Sequence, residues 1–313
     1  MLSFGNIILT TGTGAWLETS ASPGPTPYPQ YSLRFKFSDL SYNPLVAYPI
    51  GSSTVWSPDY WKHGCTWTQI SSNPNIWEYQ REPDHYSAAE DPWGANAWNQ
   101  EFLNKFDDYE HNQVEVLGGN TTGITSMNAM LAQNPGLVRV ALFDTSACYD
   151  MQQMLMGLPV TGTDTHISHL TEVPNFDFTS CLVTQGMFWG CEELETVPAF
   201  DLKGVCDANS MFADCRALRA IPAMSVSKVG HPIVWEGTVV SGTIHYMDYM
   251  FQDCRSVASG ITAMYTALST NGYDTAAQTA GVTPAQHAQV FEDCGVASQS
   301  GSAELAQIPA GWK

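Results

Sequence analysis

The chain repeats itself, and no other feature of the sequence limits its fold as strongly. A methionine followed by an apolar residue recurs at Met130, Met154, Met187, Met211 and Met250, and in degenerate form at Val290. Successive copies are 24, 33, 24, 39 and 40 residues apart, which fits a 24-residue unit with insertions of 9, 15 and 16 residues. One such unit cannot bury its apolar face, whereas stacked units share a continuous core. The repeat therefore predicts a solenoid.

The later copies share more than the methionine, because a cysteine follows at a fixed spacing in four of them, and a leucine and a proline follow that cysteine in two. The structural repeat positions are Met187, Cys191, Leu194, Pro198, Met211, Cys215, Leu218, Pro222, Met250 and Cys254. We expect the leucines to point inward from short strands, the prolines to stack at a corner, and Met-x-x-Met pairs to lie on short helical turns. The eight cysteines include no C-x-x-C pair, which favours an internal column of small apolar side chains over metal or disulfide chemistry.

The motif Met-Phe-x-x-Cys-x-x-Leu-x-x-Val/Ile-Pro-x-Phe-Asp resembles the BspA-like leucine-rich repeat over residues 117–313. The copy at Met154 departs from it, because Gly157-Leu158 stands there and no cysteine follows. Proteins of this family occur on gut bacteria, especially Bacteroidales, and in the phages that infect them. The resemblance therefore implies a leucine-rich-repeat solenoid with a role in adhesion or on a virion surface, not in catalysis.

Two further regions precede the repeats. Residues 1–30 carry four prolines within residues 21–30, which predicts an N-terminal anchor with an extended, semi-rigid spacer; a flexible tail is the alternative. Residues 31–116 are predicted to form a small β-rich capping module, because Tyr31–Phe37 alternates apolar and polar residues and turn formers recur every few residues. A short helix is expected over Ala95–Phe106.

Tryptophan is concentrated in these first regions, since seven of the ten lie before residue 100. One interpretation is a compact core with an interface to the repeats. The other is an exposed aromatic platform that stacks on sugars or grips a partner protein. The candidate residues for such a platform are Trp56, Tyr60, Trp61 and Trp67.

The C-terminal part predicts a helical cap. A Thr-Pro pair supplies an N-cap and a first helical residue for a helix over Thr283–Glu292, and apolar spacing predicts another helix over Ile261–Leu268. The expected fold class is therefore α+β. It comprises an extended N-terminal arm (1–30), a β-rich, Trp-rich cap domain (31–116) and a short BspA-like leucine-rich-repeat solenoid with a C-terminal helical cap (117–313).

Charge and hydropathy exclude two classes of partner. Lys plus Arg number 12 and Asp plus Glu number 31, a formal net charge of −19 without any basic patch, so nucleic acid is not an expected partner. The longest aliphatic run is Ile7–Leu9, far short of the roughly 18 residues that span a bilayer, so no membrane insertion is expected. No cation precedes that run, which is not typical of a secretory signal.

Few residues suggest catalysis or metal binding. His166 and His169 could hold a metal and Asp107–His111 a hard cation, but a solvated loop and a solvated acidic face are the favoured interpretations. Aspartate also recurs at equivalent repeat positions, namely Asp144, Asp177 and Asp201. A repeated carboxylate favours turn capping over catalysis. We predict no catalytic residue, no cofactor and no metal.

Together these observations favour a non-enzymatic surface protein of a bacteriophage particle, either a tail-fibre or receptor-binding component or a head decoration protein. Its expected location is the virion surface. Its expected partners are other virion proteins through the N-terminal arm, a glycan or protein of the host surface, and further copies of itself, since avidity strengthens weak contacts. A bacterial cell-surface adhesin is the alternative, and a glycan-active enzyme that uses the Trp-rich module is a third hypothesis.

Overall fold

The computed structural model describes residues 28–47, 65–85, 96–235, 238–239, 246–281 and 287–313. The predicted N-terminal arm lies outside these ranges except for its last three residues, 28–30. Within the described ranges, no helix is long and apolar enough to cross a bilayer.

Most of the regular elements are short. The strands are β1 (Ser32–Phe37), β2 (Thr66–Ser72), β3 (Asn75–Gln80), β4 (Asp84–His85), β5 (Asn96–Ala97), β6 (Val114–Asn120), β7 (Leu137–Val140), β8 (Leu158–Pro159), β9 (His166–Ile167), β10 (Val234–Trp235) and β11 (Thr238–Val239). The helices are α1 (Pro44–Ala47), α2 (Ile261–Ser269), α3 (Tyr273–Ala280), α4 (Gln299–Leu305) and a final 3₁₀ turn (Ala310–Trp312).

The five longest strands form one sheet in the order β2-β3-β1-β6-β7. Neighbouring strands are antiparallel except β6 and β7, which are parallel. The strand predicted at Tyr31–Phe37 is confirmed as β1, whose Leu33, Phe35 and Phe37 are buried in the core. β6 crosses the predicted boundary between residues 116 and 117, so the sheet joins the two predicted domains in one layer.

The second structural unit is a parallel stack of seven-residue segments, which we call rungs. In the part of the chain that the structure describes, they span 98–104, 127–133, 151–157, 184–190, 208–214, 247–253 and 287–293. In rungs one to five, the backbone N–H groups at positions 3, 5 and 7 donate to carbonyls of the next rung, and the N–H at position 1 donates to the carbonyl of the residue just before that rung. Isolated parallel bridges such as Asp150↔Val183 and Val183↔Asp207 lie along the same ladder.

Left-handed residues give the rungs their common backbone shape. They stand at position 3 of every described rung and at position 7 of every rung but the third, for example at Ala129 (φ 50°) and Gln133 (φ 58°) in the second rung. The N–H of Met130 donates to the carbonyl of Met127 at 3.1 Å, which closes a β-turn around the first of them. The prediction of helical turns for the Met-x-x-Met pairs is therefore wrong, although both methionines of the pair are fully buried as expected.

The stack begins earlier than the sequence predicts. Rung one, residues 98–104, lies in the region assigned to the capping module, and its N–H groups bond to the carbonyls of residues 126–132. The helix predicted over Ala95–Phe106 is wrong, because Gln100 (φ 56°) and Asn104 (φ 53°) are left-handed and an α-helix cannot contain them.

Positions 1, 4 and 5 of the rungs supply most of the stack's core. At position 5, the rings of Phe188, Phe212, Phe251 and Phe291 follow one another with centroids 5.4, 5.2 and 5.8 Å apart, nearly parallel. Leu194 and Leu218 are fully buried as predicted. The strands expected beside them reduce to single parallel bridges such as Glu172↔Thr196, with the half-buried prolines Pro198 and Pro222 at the following corner.

The C-terminal cap is helical only in part. The helix predicted over Ile261–Leu268 is confirmed as α2, which buries Ile261, Met264 and Leu268. The other predicted helix is wrong in its described residues, because 287–293 form a rung. The N–H of Phe291 in that rung donates to the carbonyl of Trp312 at 2.9 Å, so the 3₁₀ turn covers the end of the stack.

Candidate functional site

The structure describes one of the four aromatic candidates. Trp56, Tyr60 and Trp61 lie outside the described ranges. Trp67 is only 8% exposed, and its ring centroid lies 5.5 Å from that of Phe35 and 5.0 Å from that of Tyr79. Its prediction as part of an exposed platform is therefore wrong. Trp67 belongs to the aromatic core between the sheet and rung one, because β2 turns this side chain inward.

A buried charged cluster joins the sheet to rung one. The hydroxyl of Tyr79 and one guanidinium nitrogen of Arg81 donate to the two carboxylate oxygens of Glu101, and a second nitrogen of Arg81 donates to Asp84. Arg81 is 2% exposed and Glu101 4% exposed. Glu101 stands at position 4, which the next five rungs fill with methionine. The cluster thus replaces an apolar contact at the end of the stack with hydrogen bonds to the sheet.

Burial and hydrogen bonding indicate that this cluster has a structural role. Burial raises the pKa of Glu101, against the opposing effect of Arg81, and burial also raises the pKa of Tyr79 well above its ordinary value. Both oxygens of Glu101 have donors and its side chain is almost inaccessible, so it has no free oxygen to present to a substrate. The cluster is not apparent from the sequence, because Arg81 and Glu101 belong to no local motif.

The cysteine column is present and does more than fill space. Cys191, Cys215 and Cys254 are fully buried, and their thiols donate to the carbonyls of Leu155, Phe188 and Phe212 at 3.2, 3.3 and 3.1 Å. In each pair the acceptor is the position 5 residue of the preceding rung. Burial raises the pKa of Cys191 to about 12, so this thiol is neutral and a poor nucleophile.

An asparagine makes the same contact earlier in the stack. Asn134 stands one residue beyond the second rung, where Cys191 and Cys215 stand beyond theirs. Its amide donates at 2.8 Å to the carbonyl of Phe102, which is again position 5 of the preceding rung. Cys148 and Cys181 form another part of the core, and burial raises the pKa of both thiols. All eight cysteines are free and buried.

The recurring aspartates cap turns, which confirms their predicted role. The carboxylates of Asp144, Asp177 and Asp201 each accept the backbone N–H two residues later, at 3.0, 2.8 and 3.4 Å. Hydrogen bonds from Ser146 and Thr122 lower the pKa of Asp144. These side chains are used by the local backbone, as Asx turns require.

The two candidate histidines do not form a pair of ligands. His166 lies in β9, packs on Trp189 with ring centroids 5.2 Å apart, and donates its backbone N–H to Glu192. His169 stacks on Tyr109 and contacts Glu193. The insertion that carries them contains a short hairpin of β8 and β9, whose turn at residues 161–165 is exposed as the sequence predicts, whereas both histidines are half-buried.

The acidic segment Asp107–His111 contains one exposed ion pair, between Asp108 and His111 at 2.8 Å. Among the described residues, no group of three or more His, Cys, Asp and Glu side chains is placed to hold a metal ion.

One surface of the stack carries no charged side chain. It comprises positions 2, 3 and 6 of rungs one to five and position 7 of rungs one to four, and we call it the neutral face. Its alanines, its glycines and Met156 are buried, Gly190 beneath the ring of His166, so its polar side chains, Leu103 and Trp189 supply its accessible part. Its position 2 column consists of amides, namely Asn99, Asn128, Gln152, Gln185 and Asn209. Asn128 donates to Gln152 and Gln152 to Gln185, each at 3.1 Å, so part of the column is a hydrogen-bonded ladder. This face is not apparent from the sequence alone, because its residues line up only once the rungs are known.

Comparison with models of known protein families gives a match. The sequence model of a family described as "Mycoplasma protein of unknown function, DUF285" matches residues 100–225. The chain is therefore similar, over rungs one to five, to a family that is related to the BspA-like repeat proteins. No curated protein and no solved structure matches the chain.

Proposed function

We propose that the chain is a non-enzymatic protein of a bacteriophage particle surface, a tail-fibre or head decoration component that adheres to the host. In this proposal residues 117–313 form a short BspA-like leucine-rich-repeat solenoid. The observation that carries it is the regular rung stack, whose buried thiols and recurring aspartates are used by its own backbone. A stack of this kind is suited to presenting a long, repetitive surface.

The state of the cysteines supports assembly in a reducing compartment. All eight are free and buried, and the thiols of the column donate to backbone carbonyls. Disulfides are common in secreted proteins and rare in cytosolic ones. A phage protein that folds and assembles in the host cytosol before release fits this pattern.

The remaining parts of the proposal concern partners. Residues 1–30 would attach the protein to other virion proteins, and several copies on one particle would act together on a host glycan or protein. Avidity would then compensate for weak single contacts, provided that the copies engage at the same time.

Mass spectrometry of gradient-purified virions from the source culture tests the location. We expect peptides of this chain to band with the capsid proteins, and immunogold labelling to place them on the tail or the head. Purified chain should also adsorb to host cells and reduce phage attachment. Absence of the chain from virions at high sequence coverage would overturn the proposal.

A bacterial cell-surface adhesin is the second candidate, favoured by the match to a family described from Mycoplasma. Surface biotinylation of intact cells separates the two candidates. An adhesin should be labelled on cells that carry no phage particles, whereas the phage protein should be labelled only on virions.

A further inference from the structure

The neutral face stands out in a chain with a formal net charge of −19. The same positions in rungs six and seven carry Asp248, Asp253, Glu292 and Asp293, so the charge-free character is confined to the earlier rungs. Acidic side chains around a neutral surface repel anionic polymers and leave uncharged ones unaffected. Charge therefore selects the class of partner that this face can accept.

Several amides of the neutral face have hydrogen-bonding capacity to spare. The side chains of Gln100 and Gln153 make no hydrogen bond within the described part of the chain; Gln100 is exposed and Gln153 half-buried. A primary amide offers two donors and an acceptor, which matches the paired donor and acceptor character of a sugar hydroxyl. The position 2 ladder holds the neighbouring amides at rung spacing and so fixes their orientation.

An apolar strip runs beside the amides. At position 6, Ala132 and Met156 are buried against each other and are flanked by the half-buried Leu103 and Trp189. The indole N–H of Trp189 donates to Asp214 at 3.1 Å, which fixes the ring. A pyranose ring has polar edges and an apolar C–H face, so a surface with an amide row and an apolar row in parallel is complementary to it.

We propose that the neutral face binds an uncharged polysaccharide, with amides of positions 2 and 3 contacting hydroxyl groups and Leu103 and Trp189 contacting sugar rings. The inference rests on the adhesive function proposed above and names its ligand class. Because the amide row repeats from rung to rung, a polymer would gain affinity with length through successive equivalent contacts.

Affinity electrophoresis tests this with four probes: mannan, laminarin and arabinoxylan as uncharged polymers, and polygalacturonate as an anionic one. We expect at least one uncharged polymer to retard the full chain and polygalacturonate to have no effect. The double variant Gln100→Glu/Gln153→Glu keeps side-chain shape and adds two charges to the face, and it should weaken retardation at least tenfold. Gln278→Glu adds a charge on the exposed side of α3 and should leave retardation unchanged.

Three results would overturn the inference. One is the absence of retardation by all three uncharged polymers, and another is equal retardation of the wild type and the double variant. The third is a self-associated chain in sedimentation velocity whose oligomer the double variant dissociates, since the face would then bind a second copy. If the chain is found on virions and adsorbs to host cells while any of these holds, the proposed function stands and only this inference fails.

Discussion

At the scale of single residues, the stack uses different side chains for one task. The carbonyl at position 5 of one rung accepts a side-chain hydrogen bond from the residue that directly follows the next rung. That residue is Asn134 in one copy and Cys215 or Cys254 in others. A thiol is a weaker donor than an amide, but it is small and apolar enough to leave the phenylalanine column undisturbed. The cysteines are thus both packing and hydrogen-bonding residues.

Cys215→Ala is expected to lower the free energy of unfolding by about 1–2 kcal/mol, because it removes the thiol donor from the buried carbonyl of Phe188, which keeps the N–H of Cys191 as a donor, and opens a small cavity. Urea denaturation followed by tryptophan fluorescence measures the change. Ser227→Ala, at an exposed position, serves as the control. Equal midpoints for Cys215→Ala and the wild type would show that neither the volume of the thiol nor its hydrogen bond contributes to stability.

The sequence predicts this column only where the residue type repeats. Cys191, Cys215 and Cys254 share a spacing that is visible by eye, whereas Asn134 performs the same task with a different chemistry and interrupts the pattern. The burial of Trp67 cannot be predicted from the sequence for a different reason, because it depends on how β2 packs on rung one. Local composition carries no information about that long-range contact.

At the scale of elements, the β8–β9 hairpin is held by few contacts. The carbonyl of Asp164 accepts a hydrogen bond from Arg216, and the ring of His166 covers Gly190 and packs on Trp189. Gly190 has φ +72°, and a Cβ there would lie 2.3 Å from the His166 ring, so both backbone shape and space require glycine. The ring nitrogen Nδ1 of His166 is buried without a partner.

Acid is expected to release this hairpin. Burial lowers the pKa of His166, Asp214 and Glu192 oppose the shift, and Arg216 adds to it. Because the folded pKa lies below the unfolded value of about 6.5, the stability from the neutral ring is complete above that pH and is lost as the pH falls through the folded pKa. Hydrogen exchange of residues 158–167 should therefore rise between pH 7.5 and 5, after correction for intrinsic rates.

His166→Phe is the matched variant for this prediction, since it keeps an aromatic ring on Trp189 and removes the titrating group. Its exchange in the hairpin should vary little over the same pH range. An equal rise in the variant would assign the effect to the neighbouring carboxylates instead of the histidine.

The sheet and the stack are joined by the Arg81–Glu101 contact, and its removal is expected to be costly. Arg81→Met leaves the buried carboxylate of Glu101 without its cation, which should lower the free energy of unfolding by about 3–5 kcal/mol. Arg81→Met/Glu101→Met restores an apolar position 4 and should recover part of that loss, since the buried hydroxyl of Tyr79 then lacks its acceptor. Thermal denaturation of both variants measures the difference, and a double variant less stable than the single one would contradict this account.

At the scale of the whole molecule, each rung is bonded to the rungs on either side of it, so the effect of a substitution should stay near the substituted rung. Phe212→Ala interrupts the phenylalanine column from both sides, whereas Phe291→Ala removes its last ring. We expect a loss of about 3–5 kcal/mol for the first and a smaller loss for the second. Hydrogen exchange should show the effect of Phe291→Ala confined to residues 247–313.

The sequence predicts that the molecule contains a repeat stack better than it predicts where that stack begins. The 24-residue period identifies the repeating copies because each of them buries the same positions against its neighbours. Rung one has no methionine motif, since Glu101 replaces the methionine to bond with the sheet, and its membership therefore depends on backbone hydrogen bonds that no residue pattern encodes. The joint between sheet and stack is for this reason the least predictable part.

The hydrogen bonds between rungs also give the molecule a direction. In the first five rungs, N–H groups at positions 1, 3, 5 and 7 face the next rung, and that rung's carbonyls face back. A copied repeat inserted between two rungs in the same orientation can therefore form the same hydrogen bonds, whereas an inverted repeat would place N–H groups opposite N–H groups. Such an array can lengthen by tandem duplication in its gene while both of its specialised ends stay unchanged.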